Sequence, residues 1–290
     1  MKQNHYTDAY PKLALALLAL LVALTVICTV CLVVFLTGDY EMTPPDASKT
    51  ETVTEGGALA ETVMASPLDT QALPGNTTVS PDVILPETPD AGAVYQDKLI
   101  FVGDSLTAHL VDRGGLKGGA LTQQVWRTSN NMLNLNSEVV SAKITLPLTK
   151  EKMTIAQAAK HTAPDILIVT LGIDWGVAYL NETDFKTCYT ALVRDIQTAS
   201  PRTTVILQSI FPITAEAETE KLNNRRIDAC NEWVKAVAEA CGCPYLDTQS
   251  VLKGEGGELK AEYAVSDGIH LTSEAYQVIL QYIRTHAYTD

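Results

Sequence analysis

The sequence predicts an α/β domain, a parallel sheet with helices over both faces, joined by a polar linker to one membrane-spanning helix. Three observations carry this expectation. Short apolar runs alternate with longer segments of helical periodicity, the pattern of strand-helix-strand units. Gly, Pro and small polar residues punctuate the boundaries between them. A charge-free stretch near the N-terminus is long enough to cross a bilayer.

That stretch occupies residues 13–36, interrupted only by Thr25 and Thr29. As a helix it is about 36 Å long at roughly 1.5 Å per residue, more than a hydrocarbon core of about 30 Å. Lys2 and Lys12 precede it, and Asp39, Glu41 and Asp46 follow. The positive-inside rule therefore places residues 1–12 in the cytoplasm and the remainder outside the cell membrane. A cleaved signal peptide is the competing reading, disfavoured by the length of the apolar stretch and the lack of a small-x-small cleavage site.

Residues 37–95 change character. They hold Pro44, Pro45, Pro67, Pro74, Pro81, Pro86 and Pro89 among Thr, Ser, Ala, Gly and acidic residues, with Lys49 the only basic side chain. Such a segment buries too little apolar surface to offset its ordering entropy, so it reads as a disordered, acidic linker that gives the following domain reach. Residues 96–290 form that domain. Strands are expected at 98–102, 165–171, 204–209 and 244–246, and helices at 184–199, 218–240 and 272–285. Phe185, Tyr189, Leu192, Val193 and Ile196 recur at helical spacing and mark a core-facing stripe. The alternation suggests a flavodoxin-like strand order.

Chemistry concentrates at two places. Leu99-Ile100-Phe101-Val102 runs into Gly103-Asp104-Ser105-Leu106, a buried strand turning sharply into a helix, which sets Ser105 at the carboxyl edge of the sheet and at a helix N-terminus. Near the other end lies Asp267-Gly268-Ile269-His270. A serine hydroxyl needs an imidazole to take its proton, and the imidazole needs an acceptor to fix its tautomer; Asp267 and His270, three residues apart, can supply both from one turn. An N-cap serine and an ordinary surface turn would explain either half alone, but not both together.

These blocks resemble those of the GDSL, or SGNH, hydrolases, whose first motif matches Gly103-Asp104-Ser105-Leu106 and whose last matches Asp267-Gly268-Ile269-His270. The resemblance runs from about Leu99 to the C-terminus. It implies a three-layer α/β/α domain, a Ser105–His270–Asp267 triad and an ester or thioester substrate. The family's Gly-x-Asn block, whose Asn helps bind the oxyanion, corresponds to Gly172-Ile173-Asp174, where a carboxyl group replaces the amide. An ionised Asp174 cannot donate a hydrogen bond and repels a tetrahedral oxyanion. Three outcomes fit: burial keeps Asp174 protonated, another amide such as Asn130 or Asn131 serves, or catalysis is weak. The family's second-block Gly has no clean counterpart; Asn130, in the segment 126–131, is the candidate there, beside Gly172.

Other residues carry less. His109, one turn beyond Ser105, reads as a polar side chain packed beside the site. No His pairs with Cys or Glu at ligand spacing, so neither a metal nor a cofactor is expected. A formal net charge of −13 argues against nucleic acid, with Arg127, Arg225 and Arg226 the only candidates for a locally basic cleft. Cys188, Cys230, Cys241 and Cys243 lie in the outer domain, and a disulfide there is not required for a core of this size. The expected activity is a surface serine esterase acting on acylated carbohydrate or lipid, O-acetyl groups for example. A surface O-acyltransferase and a weakly active or non-catalytic binding domain are the alternatives.

Overall fold

The computed structural model describes residues 83–289. In chain order the strands are β1 (Leu99–Gly103), β2 (Val125–Trp126), β3 (Lys143–Thr145), β4 (Lys152–Thr154), β5 (Ile166–Thr170), β6 (Thr204–Gln208) and β7 (Tyr245–Leu246). The helices are α1 (Gly92–Gln96), α2 (Ser105–Ala108), α3 (Leu110–Arg113), α4 (Ile155–Thr162), α5 (Gly176–Tyr179), α6 (Glu182–Ala199), α7 (Asn224–Cys241), α8 (Gln249–Leu252) and α9 (Ser273–Thr285).

Five strands form one sheet in the order β2-β1-β5-β6-β7, every pair parallel. This is the flavodoxin-like order, with β1 next to β2 on one side and β5 on the other. All residues of β5 are buried, and because successive side chains point to opposite faces, both faces of the sheet are covered. One group of packed helices comprises α4, α6 and α7; a second gathers α1, α3 and α8 around α9. The predicted stripe Phe185, Tyr189, Leu192, Val193 and Ile196 is the buried face of α6.

Caps fix where the long helices begin. Asn181 accepts from the Asp184 N–H, Asn223 from the Arg226 N–H, and Thr272 from the Ala275 N–H, each satisfying an N-terminal donor that the helix leaves free. The helix expected over 218–240 accordingly starts later. Glu218 is extended, and its carboxylate accepts from both the backbone and side-chain N–H groups of Asn224, so it braces the helix start from outside.

Several elements were not anticipated, β2, the β3–β4 hairpin and α4 among them. β2 is two residues long, too short to carry a period. β3 and β4 form a small antiparallel hairpin. α4 begins at a capping box, with Thr154 and Gln157 exchanging hydrogen bonds with each other's backbone N–H.

The folded domain also takes in residues 83–95, which the composition assigns to the linker. Ile84 pairs with Tyr245 along the outer edge of β7, α1 packs on α9, and Arg284 binds Asp90 at 3.1 Å. A few apolar side chains and one ion pair are enough to order this polar stretch, because the domain supplies their partners. The remaining linker, residues 1–12 and the expected span 13–36 lie outside the described residues. Among the described residues, no helix is long and apolar enough to cross a membrane. Cys188, Cys230, Cys241 and Cys243 are free thiols.

Gly103 closes β1 where the chain has least room. A Cβ there would lie 2.1 Å from the Thr170 carbonyl and 2.3 Å from the Thr107 hydroxyl, so only glycine permits the approach of β5 and the turn into α2. Gly103→Ala should lower unfolding stability by about 1–3 kcal/mol or more in a urea titration, because backbone as well as side chain must shift.

Candidate active site

The turn after β1 is organised around a buried carboxyl group. Asp104 is 1 % exposed; its Oδ1 accepts from the Leu106 N–H at 3.3 Å and its Oδ2 from the N–H groups of Gly172 and Ile173, both at 3.1 Å. The Asp104 N–H in turn donates to the Thr170 carbonyl. One side chain thus ties the turn after β1 to the loop after β5. Burial pushes the Asp104 pKa well up, the nearby Asp174 carboxyl adds to this, and the three N–H donors oppose it.

That tie sets Asp174 over Ser105. The Ser105 hydroxyl donates to Asp174 Oδ1 at 2.7 Å, and the Ser105 backbone N–H donates to Oδ2 at 2.9 Å. Both groups are partly buried. The carboxyl group therefore holds the nucleophile's proton and also the N–H best placed to meet an oxyanion. Gly172 adopts φ +146°, and a Cβ on it would meet Ile210 at 2.4 Å, so the loop that delivers Asp174 depends on glycine.

At the C-terminal side, Asp267 uses both oxygens. Oδ1 accepts from the N–H groups of Ile269 and His270, closing the turn, while Oδ2 lies 2.7 Å from His270 Nδ1. Partial burial alone would raise the Asp267 pKa, but the two backbone donors and the His270 ring outweigh it and hold the group down at about 2. Nδ1 carrying the proton leaves Nε2 as the acceptor, the tautomer a base requires.

Long-range hydrogen bonds carry this turn to the sheet rim: the Thr214 N–H, in the segment after β6, donates to the Gly268 carbonyl at 2.9 Å. Arg113 of α3 donates to the Leu271 carbonyl at 2.9 Å, and the Tyr276 hydroxyl of α9 donates to the Leu106 carbonyl at 2.6 Å. The rings of His109 and His270 meet edge to face with centroids 5.0 Å apart. His109 lies one helical turn beyond Ser105, so this contact brings the His270 ring to the helix that Ser105 heads. Burial, then Arg113 and His270, lower the His109 pKa, favouring a neutral ring at the contact.

The structure redistributes the oxyanion candidates. The Gly172 N–H is engaged by Asp104 and is not free for substrate. Asn130 is exposed, and its amide oxygen closes its own loop by accepting from the Thr128 hydroxyl and the Met132 N–H. Asp174 is in contact with the nucleophile itself. An ionised carboxyl group about 4 Å from an oxyanion costs about 4 kcal/mol at an effective dielectric near 20, so its charge state during reaction matters. Asp104 was legible only as part of the motif; its task emerges from the distances. Among the described residues, no group of three or more His, Cys, Asp or Glu side chains is placed to hold a metal ion.

Residues 101–278, over half of the chain, match the family described as GDSL-like Lipase/Acylhydrolase. The chain belongs to that family. This GDSL-like acylhydrolase is thus an ester-hydrolysing enzyme. It matches no curated protein. Among solved structures it is similar to a putative acylhydrolase from Bacteroides fragilis, at 18 % identity and TM-score 0.46, covering 69 % of this chain and 88 % of that one. It is also similar to a GDSL-like lipase from Bacteroides thetaiotaomicron, at 18 % identity and TM-score 0.43, covering 65 % and 86 %. A psychrotrophic esterase from Pseudoalteromonas is similar at 14 % identity and TM-score 0.42, covering 64 % and 94 %. At such identities and TM-scores nothing about mechanism transfers from these structures.

The hold of Asp267 on the GDSL-like acylhydrolase's imidazole has a pH signature. Because its pKa is lowered, the pair's contribution is present above the ordinary carboxylate range and disappears only as pH falls through about 2. Asp267→Asn should reduce kcat on an activated ester by roughly 10²–10⁴-fold at neutral pH, since the amide releases the ring's orientation.

Proposed function

We propose that the protein is an extracytoplasmic, membrane-tethered serine esterase that removes acyl groups, acetyl for example, from a surface glycan. The observation that carries the chemistry is the Asp267–His270 pair at 2.7 Å, its imidazole against His109 one turn from Ser105. Ser105 is the nucleophile and forms an acyl-enzyme. The Asp267-oriented His270 is the base that the cycle needs, and water then releases the acid. Once a substrate carbonyl displaces Asp174 Oδ2, the Ser105 N–H at the head of α2 is a donor to the developing oxyanion.

Support for the location comes from residues 13–36 and the charge asymmetry around them. Support for a sugar comes from the rim beside Asp174. Trp175 and Tyr179 are exposed, 38 % and 55 %, and pack with centroids 4.5 Å apart and ring planes tilted by 34°, while Lys221 lies over the Tyr179 ring. An exposed apolar aromatic surface next to a nucleophile marks a contact site, and its flat faces suit the C–H face of a pyranose.

With the purified full-length chain and p-nitrophenyl acetate, Ser105→Ala should lower turnover by roughly 10⁴-fold or more, and a fluorophosphonate probe should label a peptide containing Ser105. Wild-type rates in Ser105→Ala would remove the nucleophile. Trp175→Ala should raise KM for an O-acetylated oligosaccharide several-fold while leaving p-nitrophenyl acetate hydrolysis within about twofold. Equal effects on both substrates would count against a sugar platform. In whole cells, externally added protease should remove the catalytic domain; protection would place it on the other side of the membrane.

A further inference from the structure

The serine hydroxyl points its proton at a carboxyl group that the familiar triad does not use. We propose that Asp174 is a catalytic group in acylation, taking the Ser105 proton as the acyl group is attacked and then, as a neutral carboxyl, donating to the oxyanion. This rests on the reading of Ser105 as the nucleophile of an ester hydrolase and assigns the first proton transfer within it.

The geometry is already that of a nucleophile and its base. Ser105 Oγ lies 2.7 Å from Asp174 Oδ1, within the reach that proton transfer requires, whereas among the described residues no hydrogen bond joins Ser105 to His270. The position is not a matter of side-chain chance. Asp104 fastens the Gly172-Ile173 backbone to the turn after β1, and the Ser105 N–H fixes the second Asp174 oxygen at 2.9 Å.

The step balances. The Ser105 oxygen forms a bond to the acyl carbon, the carbonyl π pair becomes the oxyanion lone pair, and the hydroxyl proton moves to Asp174 Oδ1. Net charge around the reacting atoms stays at one negative unit, because the carboxylate loses its charge as the oxyanion gains one. The group that would repel the tetrahedral intermediate becomes an O–H donor to it. On collapse the bond to the leaving oxygen breaks, and that oxygen takes the proton from Asp174 if it is basic enough to need one. With His270 as sole base, the oxyanion would instead form beside an ionised Asp174, with Asp104 behind it. Burial and the neighbouring Asp174 push the Asp104 carboxyl well up. His270 is then left to activate water in deacylation.

p-Nitrophenyl acetate isolates the first proton, because its leaving group departs without one. The acylation burst of the full-length chain is read by rapid mixing. Asp174→Asn should slow the burst by about 10²-fold or more. Asp174→Ala should do the same, with formate restoring at least about tenfold by standing in for the carboxylate. His270→Gln should keep the burst and stall afterwards.

A burst in Asp174→Asn as fast as wild type or faster would overturn the assignment and leave Asp174 a handicap to a His270-driven reaction. So would an Asp174→Ala defect that formate does not repair in a protein of unchanged melting temperature, or the loss of the burst in His270→Gln. Failure of the esterase reading looks different: Ser105→Ala would then turn over as wild type, or wild type would show no acylation at all.

Discussion

The site depends on one buried carboxyl group. Asp104 sits where two parallel strands release their chains, and it accepts three backbone N–H groups from both. Each of those donors would otherwise be buried without a partner, at a cost of about 1–3 kcal/mol apiece. The side chain therefore satisfies the start of α2 and the loop after β5 together. It also sets how far apart they lie. Since Ser105 is the next residue on one side and Asp174 follows Ile173 on the other, the separation of nucleophile and carboxylate is fixed by a group that touches neither substrate nor proton.

The opposite half of the site is held by different means. Asp267 and His270 belong to a tight turn that forms its own hydrogen bonds and is tied to the segment after β6 by the Thr214 N–H, which donates to the Gly268 carbonyl. Arg113 and Tyr276 fasten its neighbourhood to α2 and α3, one through the Leu271 carbonyl and one through the Leu106 carbonyl. The two halves of the site meet along a seam. The ring contact of His109 with His270 lies on that seam.

Much of this was legible from residue order. The apolar runs that became β1, β5 and β6 are central strands buried on both faces, which is why they read as continuous hydrophobic runs and why their positions hold. α6 and α9 began near the residues expected because Asn181 and Thr272 are caps whose chemistry is local. The motifs at Ser105 and Asp267 were equally visible. Edge elements were not: Val125–Trp126 has no period to read, and residues 83–95 take their order from partners about 160–200 positions away. The replacement of an amide by Asp174 was visible as an anomaly, but its contact with Ser105 depends on Asp104, whose burial no local pattern records.

Both borders of the central sheet are covered. At one side Ile84 lies parallel to Tyr245, so the entering chain covers β7. At the other, Arg127 bridges to Thr145, and the β3–β4 hairpin shields β2. Uncovered borders are templates on which a neighbouring molecule adds its own strand. Neighbouring copies meet a covered border at β7 and at β2, so strand addition to the central sheet is disfavoured.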